Sequence, residues 1–224
     1  MRETGVPLVE KRKYIVIEGP IGVGKTSLVN LLAKRFSAKK ILEAADENPF
    51  LPQFYNDAKR HAFQTQLFFL LSRFRQQQEL AQQDLFQQFV VADYLFDRDR
   101  IFAYLNLDDN ELALYEQIYG LLKTRITVPD VVIYLQASTD VLVERIARRN
   151  RPYEKHLSRQ YLEELNQAYN YFFFHYSATP LLVINTNVID FVQNPGDLDD
   201  LANQILHAKR GTEYYTPARS VKKK

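Results

Sequence analysis

The sequence predicts an α/β protein in which helices flank a parallel sheet of five strands. Three observations lead there. Short β-rich runs alternate along the chain with longer segments of helical periodicity, the order that right-handed strand–helix–strand crossovers require. The central runs are apolar throughout, as expected of strands buried on both faces. The first run leads straight into a glycine-rich loop and a helix, a unit suited to holding phosphate.

The first strand is placed at Lys13–Glu18, and the next eight residues, Gly19-Pro20-Ile21-Gly22-Val23-Gly24-Lys25-Thr26, fit G-x-x-x-x-G-K-[ST]. Glycines let the backbone turn so that successive N–H groups face a phosphate. The helix opening there, through Ser27, adds the positive end of its dipole. Lys25 is placed to reach the outer phosphates and the Thr26 hydroxyl to hold a magnesium ion, so this segment predicts a site for ATP or a close relative.

The second strand, Lys40–Glu43, precedes a polar, turn-prone connection, Ala44–Pro49. A carboxylate at Glu43 stands beside the phosphate loop, in reach of an attacking hydroxyl. Position alone does not separate that role from an exposed loop acid. In the helix after Arg60, Phe63, Leu67, Leu70, Leu71 and Phe74 share one face, and Phe68 and Phe69 widen it. So broad an apolar surface predicts burial on more than one side, with a subunit interface as one way to achieve it. Gln66 and Arg73, seven apart, point the same way from this helix; the amide suits a nucleobase edge and the guanidinium a ring acceptor, although such a pair also reads as polar surface.

The third strand, Phe89–Asp93, ends on an acid. A helix over about Asp109–Ile126 follows from Leu112, Tyr115, Ile118, Tyr119 and Leu122, and the fourth strand is Val131–Gln136. Ser138 then caps a helix that carries Arg145, Arg148 and Arg149, with Arg151 just beyond. Like charges four apart repel unless an anion sits between them, so this segment predicts a lid over a transferring phosphoryl group. The aromatics of the helix near Tyr161–Tyr176 read as core. The last strand is Leu181–Asn185. Ligands of such sheets bind outside the carboxyl ends of the strands, which directs attention to Glu18–Lys25, Glu43, Asp93 and Asn185.

Composition narrows the function classes. The 224 residues are 46% apolar, enough for one sizeable core, and contain no cysteine, which excludes disulfides and thiol chemistry. The four histidines show no metal-ligand spacing, and no Ser-His-Asp grouping stands out. The segment 209–224 holds six basic residues against Glu213, so of the net +2 the preceding body carries −3. A mildly acidic body argues against polymeric nucleic acid as a partner, and the basic end reads as a flexible tail. Met1–Lys13 is polar, without a signal-peptide core, and no run approaches membrane-spanning length, so the expectation is a soluble, cytoplasmic protein. One domain is expected over 1–208, with the lid at about 145–157.

Taken together, these motifs resemble the deoxynucleoside kinase family, especially its bacterial purine-type members, from about Lys13 to about Gln204. The order and spacing of the later motifs make the match specific. Lys25 and Thr26 match the family's phosphate lysine and magnesium hydroxyl, and Glu43 matches its general base toward the 5′-hydroxyl. Tyr55 and Glu154 match groups that hold the sugar 3′-hydroxyl, Gln66 and Arg73 the base-reading pair, and Arg145, Arg149 and Arg151 the lid arginines. The resemblance implies transfer from ATP, with magnesium, to a deoxynucleoside, deoxyadenosine first and deoxyguanosine or deoxycytidine after it, by a homodimer. One departure is evident. The family carries acid-Arg-Ser after the third strand, whereas this chain reads Ala92-Asp93-Tyr94; Asp93 matches the acid, and Arg98 and Arg100 are candidates for the missing charge. The nearest rival, a nucleoside monophosphate kinase resembling thymidylate kinase, would leave the Tyr55/Glu154 pair unexplained. A GTP-dependent switch would need D-x-x-G and N-K-x-D, and both are absent.

Overall fold

Along β1 (Lys13–Glu18) the side chains alternate between two cores: Ile15 and Ile17 join one apolar cluster, Tyr14 and Val16 another. β3 (Phe89–Ala92), β4 (Val131–Gln136) and β5 (Leu181–Asn185) divide in the same way, with Val91, Ile133 and Leu182 on the first face and Val90, Val132 and Val183 on the second. These four strands are therefore apolar in both registers, which accounts for the unbroken runs in the sequence. The computed structural model describes residues 13–81, 89–151, 154, 157–187, 189, 191 and 194–215.

Within them the sheet has six strands in the order β2-β3-β1-β4-β5-β6, every pair parallel. Two edges differ from expectation. β2 is shorter, Lys39–Ile41, so Glu43 lies two residues past its end. The sixth strand, β6 (Thr212–Tyr215), pairs with β5 inside the segment read from its charge as a tail. Tyr215 is buried there, and its hydroxyl donates to Asp200 at 2.7 Å. Four residues flanked by lysine and arginine carry too little periodic signal to be recognised, and the pairing edge of β5 decides the matter.

Helices cover both faces. α1 (Lys25–Phe36) and α8 (Pro195–Leu206) bury Leu28, Val29, Leu32, Leu201 and Ile205 against the first face. α4 (Arg98–Asn106) and α7 (Arg159–Phe174) cover the second, where Ile101, Leu165, Tyr169 and Phe173 pack. The broad apolar surface of α3 (Ala58–Ala81) is used within the chain. Leu70, Phe63 and Phe74 meet Tyr115 and Tyr119 of α5 (Asp109–Lys123), while Phe69 and Ala62 meet Leu51 and Phe54 of α2 (Leu51–Asn56). Leu71 stays exposed, and Leu67 and Phe68 are only half-buried, so part of that surface is left uncovered within the chain. α6 (Thr139–Arg149) docks through Leu142 and Ile146 and ends at Asn150, whose positive φ of 51° turns the chain at the start of the lid.

Candidate active site

Of the strand ends named above, the loop after β1, Glu43 and Asp93 open on one cavity of about 870 Å3, whereas Asn185 does not line it and the residues after it, from Asn187, do. Its floor is the loop between β1 and α1. Gly19 has a φ of 148°, and a Cβ there would come 2.5 Å from the Leu135 carbonyl oxygen, so only glycine lets the loop lie this close to β4. Gly22, at φ 85°, is confined in the same way by Ile146 and the Leu142 carbonyl of α6. Gly24 caps α1 without a side-chain hydrogen bond, so the first N–H groups of that helix face the cavity chemistry unaided by a cap. Ile21, Gly22, Val23, Gly24, Lys25, Thr26 and Ser27 line the space. Gly19 and Pro20 lie beneath it, and their carbonyls accept from Lys25 Nζ at 2.7 and 3.1 Å. Burial, and then the nearby Arg98 guanidinium, depress the Lys25 ammonium to about 8.

Asp93 joins the loop to the end of β2. Its Oδ2 accepts from the Thr26 hydroxyl at 2.9 Å and its Oδ1 from the Glu43 backbone N–H at 2.7 Å. Burial pushes this carboxyl up, against the hydrogen bonds that favour its charge. One hydroxyl and one carboxylate are hard oxygen donors, too few to form a closed cage. Among the described residues no cluster of three acids or histidines could hold a metal by itself. That donor set fits magnesium of the kind that keeps waters and shares phosphate oxygens.

Glu43 is clamped by two arginines. Its Oε1 accepts from Arg73 Nη2, and its Oε2 accepts from Arg98 Nη1 at 2.8 Å. Burial alone would raise its pKa; Arg73 and then Arg98 outweigh it and hold the carboxyl at about 2. Arg73 also donates through Nη1 to Asp99, which is fully buried and accepts from the Tyr115 hydroxyl at 2.9 Å. Both outer nitrogens of Arg73 thus engage carboxylates. Beside it Gln66 is only 2% exposed, lines the cavity, and has its Oε1 without a hydrogen-bond partner. A buried acceptor without a donor costs about 1–3 kcal/mol, so a ligand that offers one would recover it.

The lid residues are brought to the same opening. Arg145 donates to the Val23 carbonyl at 3.1 Å and to Thr186, Oγ1 and backbone O, at 2.9 Å each, so it straps the phosphate loop to the end of β5. Arg149 pairs with the buried Glu154 through both carboxylate oxygens, Nε to Oε2 at 3.1 Å. Arg151 and Tyr55 also line the cavity; Arg148 reaches its rim while pairing with the exposed Glu144. Residues 152, 153, 155 and 156 of the lid lie outside the described residues. So do 188, 190, 192 and 193 of the loop after β5, whose Asn187, Ile189 and Phe191 line the cavity beside the phosphate loop.

Two charged residues of this centre, Glu18 and Asp99, have no role in the motif reading. Glu18 is fully buried and accepts from the N–H groups of Gly19 and Leu95 at 2.8 Å each; burial raises its pKa. Asp99 anchors Arg73. Of the two candidates for the missing charge, Arg98 turns inward onto Glu43, whereas Arg100 turns outward onto Glu116 and Tyr104, each at 2.9 Å. The sequence signals for Arg98 are the arginine missing after Asp93, for which it stands as a candidate, and its place at the start of a helix shortly after a strand carboxyl end.

Residues 15–208 match the family model described as deoxynucleoside kinase. The chain is 36% identical over 197 residues to a deoxyguanosine kinase of Bacillus subtilis (strain 168), covering 86% of this chain and 95% of the other. It is 30% identical over 212 residues to a deoxyadenosine/deoxycytidine kinase of the same organism, covering 92% and 95%. In architecture it is similar to deoxyadenosine kinase from M. mycoides with bound dATP, with a TM-score of 0.76 at 24% identity over 87% of this chain and 100% of that one.

Proposed function

The chain belongs to the deoxynucleoside kinase family, it phosphorylates deoxynucleosides at the expense of ATP, and from that premise we propose deoxyadenosine as the preferred acceptor. The observation that carries the site assignment is the chain of contacts Thr26–Asp93–Glu43, which sets a carboxylate beside the phosphate loop in one cavity.

In this reading the loop amides and Lys25 hold the donor's phosphates, and Arg149 and Arg151 close on them from the lid. Arg145 acts with them by fixing the loop to β5. The nucleoside lies between α2, α3 and the lid, with Tyr55 and Glu154 on the sugar 3′-hydroxyl and Gln66 on the base. The Thr26 hydroxyl and Asp93 carboxylate would hold magnesium, which when bound neutralises charge on the donor's phosphates. Transfer forms a bond between the 5′-oxygen and the γ-phosphorus, breaks the bond to the bridging oxygen, and releases ADP. The hydroxyl proton passes to Glu43 and from there to water. A carboxylate held at about 2 is a weak base, so Glu43 orients the hydroxyl and takes its proton only as the new bond completes.

The free acceptor narrows the base: adenine and cytosine each offer an amine donor beside a ring acceptor, the two groups that a glutamine amide pairs with, and the resemblance to purine-type members favours adenine of the two. Arg73, the group best suited to the guanine carbonyl, is engaged by Glu43 and Asp99. The likeness to the Bacillus subtilis deoxyguanosine kinase favours deoxyguanosine as the second reading. Assaying the four deoxynucleosides with ATP and magnesium tests both: deoxyadenosine should give the highest kcat/KM, and a higher value for any other acceptor overturns the assignment.

The remaining proposals are a cytoplasmic location, where ATP and magnesium are available, and a homodimer. Among the described residues no helix is long and apolar enough to cross a membrane. The exposed aromatics Tyr104 of α4 and Tyr171 and Phe174 of α7 make that side of the chain the better candidate for the dimer face than α3. A monomeric mass in sedimentation at micromolar concentration would refute the dimer.

A further inference from the structure

We propose that Arg98 is a catalytic residue, the fixed cation that contacts the phosphoryl group in transit while it holds Glu43 in place. The inference rests on the kinase reading above and decides between the two arginines that the motif comparison left open, giving one of them a role.

Arg98 is 6% exposed, yet it lines the cavity. A guanidinium this deep needs carboxylates and a full set of hydrogen bonds to be tolerated. Its carboxylates are Glu43, at 2.8 Å from Nη1, and Glu18, whose Oε1 lies 3.8 Å from Nε. The hydrogen bonding is incomplete. Nε is buried without a hydrogen-bond partner, because 3.8 Å is too long for one. That nitrogen is sealed from solvent, as is the Nε of Arg73, so it does not mark the ligand side. Of the outer nitrogens of Arg98, Nη1 is taken by Glu43, whereas Nη2 makes no hydrogen bond among the described residues; because the side chain lines the cavity, Nη2 is the donor left for an oxyanion that arrives later.

Its position supports the same role. Arg98 stands close enough to Lys25 to oppose that ammonium's charge, and it touches Glu43 directly. It therefore lies between the group that holds the donor and the group that orients the acceptor. Its mounting is rigid. The Arg98 N–H donates to the Leu95 carbonyl at 3.1 Å, and the Leu95 N–H donates to Glu18 at 2.8 Å. Glu18, which also accepts from the Gly19 N–H, thus ties the root of α4 to the phosphate loop. The guanidinium rests over the Phe102 ring at 5.1 Å. Donors fixed in advance stabilise developing charge without reorganisation. As the γ-phosphorus leaves the bridging oxygen and meets the 5′-oxygen, negative charge spreads over its equatorial oxygens. Arg98 donates to one of them, and the proton of the hydroxyl still goes to Glu43.

The test compares the wild type with Arg98→Ala, Arg98→Lys and Arg100→Ala, measuring kcat with ATP, magnesium and the best deoxynucleoside, nucleoside affinity by calorimetry, and urea melts. Arg98→Ala should lose about a hundredfold or more in kcat. Its nucleoside Kd should stay within about threefold of wild type, the pattern of an interaction made in the transition state. Millimolar guanidinium should restore part of the lost rate. Arg98→Lys should melt like the wild type and lose about tenfold or more, since an ammonium lacks the fork. Arg100→Ala should be unchanged. Wild-type kcat in either Arg98 variant, or a folded Arg98→Ala that guanidinium does not rescue, overturns the proposal. If Arg98→Ala does not fold, Arg98→Lys decides alone by the same criterion. A wild type inactive on all four deoxynucleosides overturns the kinase reading itself; an active wild type with indifferent Arg98 variants overturns only this inference.

Discussion

Glu43→Gln probes the centre most directly, because an amide is the closest isostere of the protonated carboxyl. The structure sets the magnitude. Arg73 and Arg98 overcome the effect of burial and bring Glu43 from its ordinary 4.5 to about 2. At about 1.36 kcal/mol per pH unit this is about 3 kcal/mol of stability from the ionised form. The folded value is the depressed one, so this contribution is complete above pH 4.5 and disappears as the pH falls toward 2. Glu43→Gln should therefore cost about 3 kcal/mol at pH 7, in the range seen when one partner of a buried pair is removed. For a chain of this size that lowers Tm by about 6–12 °C. Urea melts of both proteins at neutral pH and at about pH 3 measure it, and the gap should narrow on acidification. In parallel, kcat should fall about a hundredfold while ATP binding persists. A gap below about 1 kcal/mol at pH 7, or one indifferent to pH, would refute the clamp, since exposed pairs contribute no more than that. Turnover near wild type would refute Glu43 as the acceptor.

Gln66→Leu removes the orphaned buried oxygen, so the free protein should gain on the order of 1 kcal/mol in urea melts while the nucleoside KM rises; an unchanged KM would remove Gln66 from the base site. Lys25, depressed to about 8 when the loop is empty, should regain its proton on meeting phosphates. Calorimetry of ATP binding near pH 8 in buffers of different ionisation enthalpy should register fractional proton uptake, and a heat independent of buffer contradicts it. Gly19→Ala forces a Cβ to within 2.5 Å of the Leu135 carbonyl oxygen at positive φ and should leave the protein poorly folded by circular dichroism. Gly120→Ala, in α5 with open space around it, should instead stabilise by about 0.5–1 kcal/mol; equal effects of the two would show that loop geometry is not what confines Gly19.

Some of this molecule could be read locally. The phosphate loop depends on residues adjacent in the chain, and its glycine spacing is itself the geometry. The apolar runs reveal β1, β3, β4 and β5 because a strand buried on both faces needs no partner to be identified as such. The arginines of α6 follow from helical spacing. The structure gathers them, with Glu43, Asp93, Gln66 and Arg73, around one cavity.

The α/β class, the family and the phosphate loop after β1 are all written in short-range pattern, so they can be read from the letters. The other features arise from contacts between segments distant in the chain. β6 exists because β5 presents an edge to pair with, and the wide apolar face of α3 is shared by α2 on one side and α5 on the other. Arg73 and Arg98 look alike as single letters. Only the fold places one between Glu43 and Asp99 and the other between Glu43 and Glu18, and a charge takes its energy from what surrounds it in space.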